Sequence, residues 1–499
     1  MYTLSPDTIK YADALASEEY GISELTLMKN AAKACFDIIQ SCLSKDDRIV
    51  ILCGKGNNGG DGYELASILK KEGFDVTVIN IFGCLPNTDT AKSVFNECVA
   101  VGVDIFPIEN AVCKTENATV IIDAVFGVGF YGSLQNDGEI GRLIEHCNGL
   151  NVCRIAIDTP SGINCFDGRV DGVAFKADIT VTMAYYKTGM LSYPAREFCG
   201  EIHIAEIGYP EKLNKEIPKH ALVADDEYIK NIIPERKANT HKGTYGTLLM
   251  YCASKNMTGA GVLSAKAALR SGAGLVNIAR DEITVSKLQA HLIEPVFSVI
   301  SDTDKVSSML MLCKKASSVL IGCGLGTDKS DGDVLFSLIK NANCPIIIDA
   351  DGINLLCENK LILKEAKMPP ILTPHPAEFA RLTGKTVSQV QSDRINLAKS
   401  FAQEYGCNLV LKGASTVIAS PDGKLAVNTT GNPGLSKGGS GDVLAGLIAS
   451  LCTQGIDSFE SSVTACYLHG KAADILKEKI GEYGFLPSDL PMEIAKLLP

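Results

Sequence analysis

No apolar run in the 499 residues approaches the ~18 that a membrane-crossing helix needs, so no such span is expected. The start, MYTLSPDTIKYADALASEEYG, lacks a basic segment followed by an apolar one. No secretory signal is therefore expected, and the expected location is the cytoplasm. The 18 cysteines include no C-x-x-C spacing, which speaks against a zinc ribbon or a thioredoxin-type motif. Scattered through apolar segments, they read as small buried thiols in a reducing compartment. Positive charge is also short: 47 basic residues face 58 acidic ones, for a net charge of -11. That excludes a general nucleic-acid binder. It leaves room for glycine-rich loops that hold phosphates, because backbone N–H groups need no net positive charge. No internal repeat and no low-complexity tract is visible.

What is present is abundant core material. Hydrophobic residues make up 46% of the chain, and the length suggests two or more domains. Runs such as RIVILC, DVTVINIFG, ATVIIDAVFG and CRIAIDTPSG read as buried parallel strands, with helical segments such as GYELASILKKEG between them. The pattern breaks in the polar, proline-punctuated stretch from Pro210 to Lys242, where a boundary is expected near residues 212–224. Alternation then resumes with GTLLMYCAS, GLVNIA, SVLIGCG, CPIIIDADG, PILTPHP, NLVLKG and STVIASP. The expected fold class is α/β in two domains, over residues 1–215 and 222–499.

Two glycine-rich loops carry the chemistry. In CGKGNNGGDGYELA, Gly54, Gly56 and Gly59 match G-x-G-x-x-G at the start of a helix, a weak dinucleotide signal on its own. The next strand ends at Asn80, where a hydride-transfer domain would place an acid for the ribose. Asn57, Asn58 and Asp61 add side-chain donors and acceptors that a plain phosphate loop does not need. Asp123 and Asp158 stand at strand ends, where ligands bind in open α/β sheets. Asn58, Asp123 and Ser161 could converge as oxygen ligands for a cation; the plainer reading is that the acids cap turns.

In GNPGLSKGGSGDVLAGLIAS, Val443, Leu444, Leu447, Ile448 and Leu451 recur at helical spacing, which puts Gly438 to Gly441 at a helix N-terminus. Free N–H groups and the macrodipole there favour a phosphate, with Asp442 in reach of a hydroxyl that attacks it. An ordinary aspartate cap is the alternative. LKGASTVIASPDG offers Lys412 to Thr416 to a nucleotide. LTPHPAEFARLTG places His375 and Glu378 three apart at a helix start, where Glu378 could position magnesium-bound water or simply face the positive helix end.

GKGNNGGDG, DAVFGVG and IDTPSG resemble the N-terminal domain of the NAD(P)H-hydrate epimerase family. That resemblance implies a Rossmann-like doubly wound sheet. It implies substrate contacts from Asn57, Asn58, Gly59, Gly60 and Asp61, from Gly127, Val128, Gly129, Phe130, Tyr131, Gly132 and Ser133, and from Asp158. It also implies potassium held by Asn58, Asp123 and Ser161. Asp158 is the candidate proton-transfer group and Lys187 its candidate charge partner. In the second half, Gly439, Ser440, Gly441 and Asp442 match the G-x-G-D of the ribokinase-like superfamily. Its usual N-x-x-E is replaced by His375 and Glu378. HKGTYGTLLMYCAS, GCGLG, DADGINLL, LTPHPAEFARL and GNPGLSKGGSGDVLAG are similar to its ADP-dependent NAD(P)H-hydrate dehydratase branch. This implies a ribokinase-like α/β/α domain with Asp442 as the catalytic carboxylate. Ala260, Gly326, His375 and Asp442 would contact the hydrated nicotinamide. Lys412, Gly413, Ala414, Ser415, Thr416 and Gly441 would bind ADP, with magnesium. The implied partners are hydrated NADH or NADPH and ADP, with no nucleic acid and no membrane; association of identical chains is expected. Other readings are a kinase of the same fold for a thiamine or pyridoxal precursor, an NAD-dependent dehydrogenase, and a nucleotide sensor without turnover.

Overall fold

The structure, a computed structural model, describes all residues 1–499. The chain divides into two compact units, Tyr2–Ala221 and Leu222–Pro499. No helix in either is long and apolar enough to cross a membrane.

The first unit is built on a seven-stranded sheet in which every pairing is parallel. Arg48–Cys53 lies between Asp75–Asn80 and Val120–Ala124. Asp104–Pro107 closes one edge, and Cys153–Ile157, Ile179–Met183 and Glu201–Ala205 extend the other. A parallel strand covered on both faces is apolar in succession rather than in alternation. Ile49, Ile51 and Cys53 accordingly pack into one layer with Met28 and Tyr63, while Val50 and Leu52 pack into the other with Leu143 and Phe175. The chain leaves Arg48–Cys53 on one side and returns on the other at Val120–Ala124. Their carboxyl ends therefore border the crevice where the strand order reverses.

The second unit carries a sheet in the order Val296–Val299, Leu275–Arg280, Thr247–Tyr251, Ser318–Ile321, Ile346–Ile348, Ile371–Leu372, Asn408–Leu411, Val417–Ala419 and Leu425–Val427. Pairings are parallel as far as Asn408–Leu411; the last two strands are antiparallel. Helices Thr258–Arg270, Ser440–Thr453 and Ser458–Ile480 pack into a common apolar core. The helix Ser440–Thr453 is buried along its whole length except at Gly441 and Asp442. Its cap is Gly439, in the left-handed region at φ 104° and without a side-chain cap bond. Asp442 is thus the third helical residue and not the cap, so the capping alternative does not describe it.

Several strands carry weak sequence patterns. Asp104–Pro107 and Val296–Val299 lie at sheet edges, with exposed ends and half-buried middles, and neither forms a continuous apolar run.

Gly446 marks the tightest helix–helix approach: a Cβ there would lie 2.2 Å from the Ser264 carbonyl oxygen. Around Gly438 no atom lies within 4 Å of such a Cβ. Gly446→Ala should therefore destabilise the second unit by about 2 kcal/mol, whereas Gly438→Ala should leave the melting temperature unchanged. Thermal unfolding of the two variants compares them directly, and equal melting curves would contradict the packing argument.

Candidate functional sites

A cavity of about 680 Å³ opens at the switch point of the first sheet. Asn57, Asn58 and Asp61 reach it from the first turns of the helix Asn57–Lys71. Gly127, Val128, Gly129, Phe130 and Tyr131 line it from a loop after Val120–Ala124, Asp158 from just past Cys153–Ile157, and Lys187 from the short strand Tyr186–Lys187. Gly59, Gly60, Gly132 and Ser133 are not among the lining residues. For the first two the reason is packing. A Cβ on Gly59 would lie 2.0 Å from the Gly54 carbonyl oxygen, and one on Gly60 would lie 2.6 Å from Met28 Cε.

Asp158 follows its strand with φ at +63°, a conformation that costs a non-glycine residue energy and is tolerated where the surroundings enforce it. Here they do. Its Oδ2 accepts from the Val128 N–H at 3.0 Å, and the Lys187 ammonium donates to its Oδ1. Lys187 is fully buried and also donates to Thr182 Oγ1 at 2.7 Å and to the Met183 carbonyl at 3.0 Å. The proposed charge partnership is thus a direct ion pair. Asp61 faces the same cavity; burial, then the nearby charges of Asp158 and Asp13, push its carboxyl well above the usual carboxylate range. Asp13, which accepts from the Tyr209 hydroxyl, is also raised, by burial.

Asp123 and Ser161 meet beneath this crevice. Asp123 Oδ1 accepts from Ser161 Oγ at 2.7 Å and from Val125 N–H at 3.1 Å, and Oδ2 from Ser161 N–H at 2.7 Å. Burial nevertheless pushes the Asp123 carboxyl up to about 6 against those bonds. Both polar atoms of the Asn58 amide are buried without a partner.

In the second unit the half-buried helix tip lies beside the Lys412–Asp349 ion pair. Lys412 Nζ donates to Asp349 Oδ1 at 2.7 Å, and Thr373 Oγ1 donates to the same oxygen at 2.7 Å. A Cβ on Gly441 would lie 3.2 Å from Lys412 Nζ, so glycine keeps that ammonium close to the helix tip. Burial pulls Lys412 down, but Asp349 and then Glu378 outweigh it and hold its pKa above the usual value. Cys323, Asp349 and Asp442 bring their sulfur and carboxylate oxygens within 4.8 Å of one another. The Asp442 carboxyl is pushed up to about 6, first by burial and then by Asp349; Lys412 works the other way.

The remaining expected residues lie on four further segments of the second unit. The turn after Asn408–Leu411 has Gly413 at φ 149°, Ser415 at φ 53° and Thr416 Oγ1 donating to the Gly413 carbonyl at 2.9 Å, with Ala414 between. Gly326 N–H donates to Asp351 Oδ2 at 2.9 Å. Ala260 packs beside Gly324, 2.8 Å from where a Cβ there would sit. His375 caps its helix: its Nδ1 accepts from Ala377 N–H at 3.1 Å. Glu378 completes that capping box by accepting from the His375 N–H at 2.8 Å, so this carboxylate serves the helix start. Asp349, Asp351 and Cys323 escaped the sequence reading. The run CPIIIDADG ends a buried strand on Asp349, the same signal that exposed Asp123 and Asp158.

An α/β unit whose buried, glycine-led helix presents an aspartate beside a lysine–aspartate pair defines a ribokinase-like domain, here preceded by a Rossmann-like unit. The model of the NAD(P)H-hydrate dehydratase family matches residues 248–496, and that of the YjeF-related protein N-terminus matches residues 24–189. The bifunctional NAD(P)H-hydrate repair enzyme Nnr of Thermofilum pendens is 34% identical, covering 98% of this chain and 95% of its own. That of Escherichia coli is 32% identical, over 97% and 93%. A crystal structure of the ADP/ATP-dependent NAD(P)H-hydrate dehydratase of Bacillus subtilis, co-crystallized with ATP/Mg2+, is 33% identical with a TM-score of 0.50, covering 55% of this chain and 96% of that one. The chain belongs to the family of bifunctional NAD(P)H-hydrate repair enzymes.

The raised Asp442 carboxyl has a stability signature. The folded chain keeps its proton up to about pH 6, whereas the unfolded chain releases it near 3.8. Stability is therefore lost as pH rises between those values and stays lost above them. Asp442→Asn should be more stable than the parent at pH 7 by at most about 3 kcal/mol, and indistinguishable at pH 3. Urea unfolding at the two pH values measures this; an advantage of the same size at both would contradict the assignment.

Proposed function

We propose that the first unit interconverts the two epimers of hydrated NADH and NADPH, and that the second unit dehydrates one of them at the expense of ADP. The observation that carries the reading is Asp442, the one carboxylate left uncovered on an otherwise buried helix, next to Lys412.

Epimerisation at a hydrated ring carbon needs a proton given to the departing hydroxyl and another taken from the water that returns on the opposite face. Two carboxyl groups in unlike environments can divide that work. Asp61, whose proton is held more tightly than usual by burial and by its acidic neighbours, is suited to give it. Asp158, paired with Lys187, is suited to take one. Asn58, Asp123 and Ser161 fit an oxygen-ligated monovalent cation, because the Asn58 amide oxygen is buried and without any other partner. A bound potassium ion would supply fixed positive charge there.

In the second unit Asp442 orients the ring hydroxyl and accepts its proton. The hydroxyl oxygen forms a bond to the β-phosphorus of ADP, the bridging P–O bond breaks, and AMP departs. The phosphate ester then leaves as inorganic phosphate while the neighbouring ring carbon gives up a proton, and the electron pair of that C–H bond restores the double bond. Free N–H groups at the tip of Ser440–Thr453 and the Lys412 ammonium stabilise charge on the transferring group. Glu378 Oε2 accepts from the His375 N–H; magnesium is expected as the nucleotide complex, where it neutralises phosphate oxygens. The kinase alternative shares the first step but not the second, so its phosphorylated alcohol would accumulate.

An epimer mixture supplied with ADP and magnesium should return fully to NADH, with AMP and phosphate formed in equal amounts. Asp442→Ala should keep epimerisation and stop ADP-dependent repair. Asp158→Asn should do the reverse, leaving one epimer behind. Loss of both activities together in a folded variant would defeat the two-site reading, and a parallel series with ATP reads the choice of donor. Replacing potassium by tetramethylammonium should slow epimerisation in the parent, with Asn58→Ala blunting the difference; equal sensitivity in both would remove Asn58 from the cation site.

A further inference from the structure

Arg394 is a charged group that the chemistry above leaves unused. It is only 2% exposed. It is also the first residue of the helix Arg394–Tyr405, where the helix dipole already places positive potential and a cation is disfavoured. Its guanidinium donates to the Leu411 carbonyl at 2.8 Å, to the Lys412 carbonyl at 3.2 Å and to Gln391 Oε1 at 2.8 Å. All three acceptors are neutral oxygens, and its Nε meets none. Burial lowers its pKa to about 10. A buried cation bonded only to neutral groups is a costly element in a fold, since an apolar side chain of similar volume would pack there without desolvation.

The location suggests what offsets that cost. The Leu411 and Lys412 carbonyls end one strand and open the Lys412–Thr416 turn. A Cβ on Gly413 would lie 2.9 Å from Arg394 Nη2 and 3.0 Å from Nη1, so the guanidinium is pressed against the backbone of that turn. Lys412 at the same turn is already matched by Asp349. We propose that Arg394 is a positioning residue for the nucleotide: it fixes the turn from below and supplies the uncompensated positive charge that a nucleoside diphosphate neutralises on binding. The proposal rests on the reading of Lys412–Thr416 as the nucleotide loop. A purely structural strut would make the same hydrogen bonds, but its charge would have no effect on ADP.

The full chain with Arg394→Lys, Arg394→Gln and Arg394→Met separates the two. Loss of the charge should raise the KM for ADP by about tenfold or more in the Gln and Met variants, with kcat changed by less than about threefold. Lys should recover most of the affinity. The rise in melting temperature on adding ADP should shrink in the same order, while epimerase activity, as a check on folding, stays at the parental level. Should Met fail to fold, Lys against Gln still decides, because both bond to carbonyls and only one is charged. Equal KM values for Lys, Gln and the parent would overturn the proposal, as would kcat and KM changing together in Gln and Lys alike. Lys412→Ala tests the underlying reading separately: if it binds ADP as the parent does, the loop assignment fails, whatever Arg394 does.

Discussion

Each unit buries one lysine against one aspartate near the carboxyl ends of its parallel strands. Lys187 meets Asp158 in the first, and Lys412 meets Asp349 in the second. Each charge would be costly to keep there without the other, because desolvating an unpaired ion takes a large share of a domain's margin of stability. Paired, the two charges survive burial and set the electrostatics around them. In the second unit burial first and the Asp349 carboxylate second raise Asp442, and Lys412 restrains that rise, so the carboxyl at the helix tip arrives at about 6. A general base works best with a pKa close to the working pH, where it is mostly ionised yet still holds a proton well. On the proposed reading of Asp442 as that base, burial and two neighbouring charges together set its pKa.

Backbone geometry holds these groups where they are. Parallel strands end together, so residues that follow them gather at one edge of the sheet. In the first unit Asp158 occupies the left-handed region, where hydrogen bonds from Val128 and Lys187 hold it. In the second, Gly439 turns the chain into its helix and Gly441 leaves room for the Lys412 ammonium. The glycines of the G-x-G-x-x-G loop have a different task. Gly59 lets its helix close onto the Gly54 carbonyl, a packing requirement met before any ligand is considered.

Much of this was legible in the sequence, for identifiable reasons. Central strands announced themselves as unbroken apolar runs because both faces are covered, and Asp123 and Asp158 stood out at their ends. The helix after Asp442 was readable from its apolar spacing, although it begins at Ser440 and its cap is Gly439. Edge strands such as Asp104–Pro107 were illegible, since half-buried residues show no sustained run. Asp349 followed the same strand-end rule as the others yet went unassigned, because its partner Lys412 lies 63 positions away and only the fold joins them. Arg394 was beyond sequence reasoning for a related reason: an arginine opening a helix reads as a solvated charge until the fold buries it beneath Gly413. His375 and Glu378 were visible as a helix start, and the capping box they form there bears this out.

A kinase-like unit suits a dehydration because hydroxide is a poor leaving group and phosphate a good one. The protein need not act on the ring carbon itself; it has only to steer the ring oxygen toward a phosphoryl group, which is a task of positioning and charge stabilisation. The helix tip is equipped for that task and little else. Its N–H groups favour the anion, its one uncovered carboxylate can take the hydroxyl proton, and the adjacent Lys412 can balance the charge that develops. Elimination can follow from the ester in the same enclosure, since the leaving phosphate still faces the groups that bound it. In the first unit two carboxyl groups in unlike environments, Asp61 and Asp158, line one cavity, and giving a proton to a departing hydroxyl while taking one from the returning water asks for no more than that. The division of labour between the units is therefore already written in which groups surround each aspartate.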